Sequence, residues 1–133
     1  MKKMLIIAVF ILSCIPSYAY QAGDVVDGRW VRMGRSVQLG GILYYDSQTI
    51  TNTQIWIRTI YPTRQHIGNG KQLDESKILF SADCQNKRLA IIYTVFLLDG
   101  RVVWDDTAQY PQYSPVVPDT VMEGVYNHVC QWA

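Results

Sequence analysis

The sequence predicts an α+β fold, a single domain in which about six antiparallel strands form a sheet and a C-terminal helix packs on one face, tethered by a disulfide. Three observations carry this. Turn residues punctuate the chain at strand-like spacing with no helical periodicity until its last part. Thr120-x-x-Glu123 then precedes valines at 121, 125 and 129, the mark of a capped helix with one apolar stripe. Cys84 and Cys130 are the two cysteines that follow an export signal.

That signal occupies residues 1–19. Lys2 and Lys3 form a basic head, Leu5 to Leu12 an unbroken apolar run, and Ser17-Tyr18-Ala19 a small-x-small cleavage site. The run is far shorter than the roughly 20 residues that span a bilayer. Cutting after Ala19 leaves residues 20–133 as one domain and removes Lys2, Lys3 and Cys14. Twelve basic residues fall to ten against eleven acidic ones, so the formal charge moves from +1 to −1. Such balance gives no steering toward nucleic acid or an anionic membrane, and neither is expected as a partner. The segment "ILSC" also resembles a loose lipobox, which would make Cys14 a lipidated anchor. Leu12 stands where a small residue is usual, so cleavage after Ala19 is the expectation, with a membrane anchor only if Cys14 is lipidated.

The expected strands are Arg29 to Gly34, Ile42 to Asp46, Thr53 to Ile60, Lys77 to Cys84, Arg88 to Leu98 and Arg101 to Asp105. Gly40-Gly41, Gly68-Asn69-Gly70 and Gln85-Asn86-Lys87 separate several of them. Asp99-Gly100 is the strongest local signal, because both residues tolerate the positive φ of a type I′ turn and so make "FLLDGRVVW" a hairpin. "TAQYPQYSPVVP" holds three prolines and reads as a connector rather than a helix or interior strand. The helix that follows contains Gly124 and must gain its stability from docking.

Period-two alternation puts Ile78, Phe80, Ala82 and Cys84 on one face of their strand. Cys130 follows Tyr126 and Met122 at helical spacing, beside the valine stripe, so both thiols belong to packed surfaces and should meet. Their bond would close a loop of about 47 residues, for which the chain-entropy relation gives about 4 kcal/mol. The alternative, a metal site, lacks ligand spacing: His66 and His128 are the only histidines.

Taken in order, "RWVRMG", "LYYDSQTI", "IWIRTIYP", "FSADCQNKRLAIIYTVF", the Gly-turn hairpin and a helix ending "HVC" together resemble the surface-adhesin protein E family of Gram-negative bacteria. The resemblance covers nearly the whole mature chain. It implies a six-stranded antiparallel sheet with the helix held by the disulfide, an outer-membrane or surface-exposed location, and binding of host matrix proteins such as vitronectin and laminin. A periplasmic accessory protein of an envelope or secretion complex is the alternative role.

No catalytic constellation is expected. Asp105 and Asp106 are strand neighbours and point to opposite faces. Neither histidine suggests a nucleophile–base pair, and His128 reads as a cation placed to favour the dipole at the end of the helix. No cofactor or metal is expected. For binding, three regions stand out. "YPTRQHIGNGKQLDES" reads as a long recognition loop or a connector. In "AQYPQYSP", Tyr110 and Tyr113 either offer aromatic contact area or, the preferred reading, cover core as the chain crosses to the helix. "RLAIIYTVFLL" is apolar on both faces, with Leu89, Ile91, Tyr93, Val95 and Leu97 on one side and Ala90, Ile92, Phe96 and Leu98 on the other. One helix covers one face, so the other needs loops, the N-terminal segment or a second copy of the chain. Trp30, Trp56 and Trp104 are assigned to that packing. Arg64, Lys71, Lys87 and Arg88, with Tyr110 and Tyr113, are the candidate ligand contacts.

Overall fold

The computed structural model describes residues 25, 26, 28–37 and 40–131. The signal segment and Cys14 lie outside the described residues. Strands β1 (Val25–Val26), β2 (Trp30–Ser36), β3 (Gly41–Asp46), β4 (Gln54–His66), β5 (Gln72–Asp83), β6 (Arg88–Leu98) and β7 (Arg101–Thr107) pair antiparallel in chain order. Every link between them is a hairpin, with no crossover. A two-residue strand, β8 (Ser114–Pro115), joins the start of β6 at Arg88 and Leu89, and helix α1 (Val121–Cys130) ends the described chain.

The six long strands, β2 to β7, are those the sequence predicts, and β6 has the predicted bounds. At the Asp99-Gly100 turn both residues have positive φ, 51° and 80°, as a type I′ turn requires. Gly41 is fixed by packing instead: a Cβ there would lie 2.5 Å from the Thr59 methyl of the neighbouring strand.

Helix α1 sits over β4, β5 and β6. Val125 and Val129 are fully buried against Ile55, Ile57, Phe80 and Leu89, with Val121 and Met122 packed at the margin. The Thr120 hydroxyl accepts from the Glu123 N–H at 3.4 Å, and the Glu123 carboxylate accepts the N–H of Asp119 at 3.3 Å. The capping box is therefore closed one residue earlier than its usual form. Cys84 and Cys130 are bonded, with Cα atoms 5.7 Å apart, and the Tyr126 hydroxyl donates to the Cys84 carbonyl at 2.8 Å beside them.

Three expectations need correction. The expected loop "YPTRQHIGNGKQLDES" is mostly strand: Tyr61 to His66 extend β4 and Gln72 to Ser76 extend β5. Pro62 is tolerated because the ladder is interrupted between Ile60 and Gln65, so its missing N–H breaks no regular pairing.

The alternation assigned to β6 is also inverted halfway. Phe80 pairs with Ile91 but Leu79 pairs with Tyr93, which makes Ile92 the extra residue of a β-bulge. Leu89 and Ile91 thus share the helix face, whereas Tyr93, Val95 and Leu97 belong to the opposite one. Side chains of the sheet itself help to cover that face. Trp30 is buried there, with Arg29, Arg58 and Lys77 each 5.6–5.7 Å from its ring centroid, and Trp56 meets Tyr93 edge to face. Trp104 does not serve there: it stands opposite Phe96 in the ladder and stacks on it on the helix side of the sheet, half exposed.

His128 is not governed by the helix dipole. Its ring lies 4.1 Å from that of Tyr45, and burial lowers its pKa below 6.5, favouring the neutral form.

Candidate binding groove beside the helix

From β7 the chain crosses back as a strap, residues 108–117, held at both ends by backbone bonds to β6 and its turn. The Ala108 N–H donates to the Ile92 carbonyl at 2.8 Å, and the Val116 N–H to the Lys87 carbonyl at 3.1 Å. Between Ala108 and Ser114 the strap makes no ladder pairing, Pro111 having no N–H to offer, and a gap is left beside the sheet until β8 rejoins β6 at Ser114–Pro115. The gap is a groove of about 500 Å³ on the helix face. Phe80, Leu89 and Ile91 contribute from the strands, Met122 from α1, and Tyr110 and Val116 from the strap.

The groove is mainly apolar, with Asp106 and Gln112 among its few polar groups. Such a lining suits aliphatic or aromatic side chains of a partner and gives orientation through few hydrogen bonds. Asp105 and Asp106 do diverge: Asp106 lines the groove, whereas Asp105 faces away and accepts from the Tyr93 hydroxyl at 2.6 Å, which raises the Tyr93 pKa. Among the described residues no group of three or more His, Cys, Asp or Glu side chains is placed to hold a metal ion, and no helix is long and apolar enough to cross a membrane.

The two tyrosines have different roles. Tyr113 shares a 2.8 Å hydrogen bond with Ser81 and so pins the strap to β5. Tyr110 is 76% exposed at the groove and does not cover core, contrary to the preferred sequence reading.

The four basic candidates separate into two pairs. Lys87, at positive φ in the β5–β6 turn, lies 3.9 Å from Glu123 of α1, and Arg88 stands opposite Asp83 in one ladder and Pro115 in the other. Both adjoin the strap. Arg64 and Lys71 are at the far end of the sheet, Arg64 paired with Asp99 at 3.1 Å and Lys71 in a hollow with Leu98 and Val103. The 12 residues of β5 separate the two ends. At ~3.3 Å per residue that is roughly 35 Å, so the six candidates do not form one site. Met122 is a groove residue absent from the sequence-based binding candidates, whereas Ile91 lines the groove beside Leu89, on the apolar side of β6 where the sequence placed both.

On the opposite face the strongest charge contact is Asp46, fully buried at the end of β3. Arg29 donates to both its oxygens, Nε at 2.8 Å and Nη2 at 2.6 Å, and Thr49 and the Gln48 N–H donate to it as well. Burial alone would raise the Asp46 pKa. The hydrogen bonds and the Arg29 charge outweigh it, holding the carboxyl at about 2.

The fold is similar to that of a solved structure of Haemophilus influenzae protein E, at 15% identity over 82% of this chain and 91% of that one, with a TM-score of 0.51. A second structure of the same protein covers 82% and 88% at 15% identity with a TM-score of 0.49. No curated protein matches the chain. The family described as Surface-adhesin protein E matches residues 30–131, from the start of β2 to just past the disulfide. The chain therefore belongs to the surface-adhesin protein E family.

Proposed function

We propose that this protein is exported and acts by surface recognition, with its groove taking apolar side chains of a host extracellular-matrix protein such as vitronectin or laminin. The observation that carries the reading is Tyr110, a large aromatic side chain left exposed on a proline-stiffened strap beside an apolar groove. Aromatic anchors of this kind supply contact area at low ordering cost, and a flanking pocket gives them a partner to pack with. Lys87 and Arg88 adjoin the strap and would engage acidic groups around the contact, whereas Arg64 and Lys71 lie too far away to share it.

Immobilised vitronectin and laminin provide the test, each probed with the mature protein at low and physiological salt. Binding to either that survives physiological salt and weakens about tenfold in Tyr110→Ser is expected for an aromatic anchor. No binding at low salt would remove the adhesive role. Release from cells only after outer-membrane permeabilisation, together with that result, would favour the periplasmic accessory role.

A further inference from the structure

The face of the sheet away from the helix carries its own concavity, about 290 Å³, lined by Arg29, Trp30, Asp46, Trp56, Lys77 and Val95. Small-molecule sites begin near about 300 Å³, so there is room for one compact group rather than an extended chain. Its walls combine two indoles with cations. Two of these, Arg29 and Lys77, surround the ring of Trp30 together with Arg58, which stands beside the pocket.

The cations are unequally engaged. Arg29 spends its fork on Asp46, and Arg58 donates through Nε to Glu75 at 2.8 Å. The Lys77 ammonium is 3.8 Å from Glu75, beyond hydrogen-bond distance, and among the described residues it makes no hydrogen bond, so its donors face the pocket. Arg32 lies two residues beyond Trp30 on the same face of β2, and its Nε is buried with no acceptor among the described residues. Among the described residues four cations thus accompany two carboxylates, Asp46 and Glu75, both already hydrogen-bonded. The next carboxylate on this face, Asp105, is held by Tyr93. The surplus is positive, and it adjoins aromatic surface.

We propose that this pocket binds an acidic sugar unit, carboxylated or sulfated, with its ring against Trp56 and the part of the buried Trp30 that lines the pocket and its anionic group on Lys77 Nζ and the outer edge of Arg29. A small inorganic anion would leave both indoles unused, and a long aliphatic acid would exceed the cavity. A saccharide ring has an apolar C–H face for the aromatic wall and a polar rim for solvent, while its charge meets the Lys77 ammonium. The site is on the face opposite the groove, so it stands or falls independently of matrix-protein binding by the strap.

Titration calorimetry on the mature protein, at low and physiological salt, tests this with three probes: a heparin-derived tetrasaccharide, a hyaluronan tetrasaccharide and neutral chitotetraose. At least one acidic probe should bind with salt-dependent affinity while chitotetraose does not, and the two acidic probes separate sulfate from carboxylate recognition. Lys77→Gln should weaken binding about tenfold, Lys77→Arg should retain most of it, and Tyr110→Ser in the groove should leave it unchanged. Lys77 makes no hydrogen bond among the described residues, so the glutamine variant is expected to fold, and circular dichroism verifies that. Failure of both acidic probes at low salt, equal binding of the neutral one, or wild-type affinity in folded Lys77→Gln would each overturn the proposal.

Discussion

Replacing both sulfurs, Cys84→Ser with Cys130→Ser, should lower the thermal midpoint sharply while leaving the strands in place. The bond spans a sequence separation of 46 residues. Releasing a loop of that length returns conformational entropy to the unfolded chain worth about 4 kcal/mol in the loop-closure relation. For a domain slightly larger than 100 residues, at about 4 °C per kcal/mol, the midpoint should fall by about 15 °C. The loss should also be local at first. Helix α1 has only 10 residues and contains Gly124, so once the covalent tie is gone it is held mainly by Val125, Val129 and the Tyr126 hydrogen bond to Cys84. Thermal melts by far-ultraviolet circular dichroism measure the first effect, and amide hydrogen exchange the second, with α1 losing protection before β4 and β5. An unchanged midpoint, or uniform loss of protection across sheet and helix, would refute the account of the disulfide as the clamp of the helix.

Two further outcomes follow from single side chains. The Asp46 carboxyl is held at about 2 in the folded protein against 3.8 ordinarily, so its contribution is complete above about pH 4 and is lost as the pH falls toward 2. The difference corresponds to about 2 kcal/mol, and Asp46→Asn should remove about that much at pH 7 and flatten the acid limb of a urea-denaturation series; a parallel limb would reject the Arg29 pairing as its cause. Gly124 lies within α1 with nothing inside 4 Å of a built Cβ, so Gly124→Ala should raise stability by about 0.5–1 kcal/mol, visible as a higher denaturation midpoint; destabilisation would mean that the position is not open.

How much of this was legible beforehand depends on the range of the signal. Asp99-Gly100 prescribes its turn because positive φ is a property of the residues themselves, and the hairpin follows wherever the two flanking strands lie. The Thr120 and Glu123 pair with the valine stripe likewise sets a helix start, and the shared faces of Cys84 and Cys130 anticipate their bond. Pro62 misled in the opposite direction, since its penalty applies only where a ladder hydrogen bond is required, and the interruption opposite β5 lifts that requirement.

The groove and the cationic face belong to another class of fact. Ile91 joins the helix side and Tyr93 leaves it because Ile92 is left over when β5 and β6 are brought into register, a mismatch between two strands that neither contains alone. Tyr110 and Tyr113 stand in nearly identical proline-rich surroundings in sequence, yet only Tyr113 finds Ser81 within reach. Sequence by itself determined the strands, their tight turns, the capped helix and its sulfur tether, because those arise from backbone preferences and periodicity over a few residues. Tertiary structure alone decided which apolar and charged side chains share a surface, because register, bulges and hairpin ends place residues far apart in the chain side by side, and that placement is a property of the paired strands.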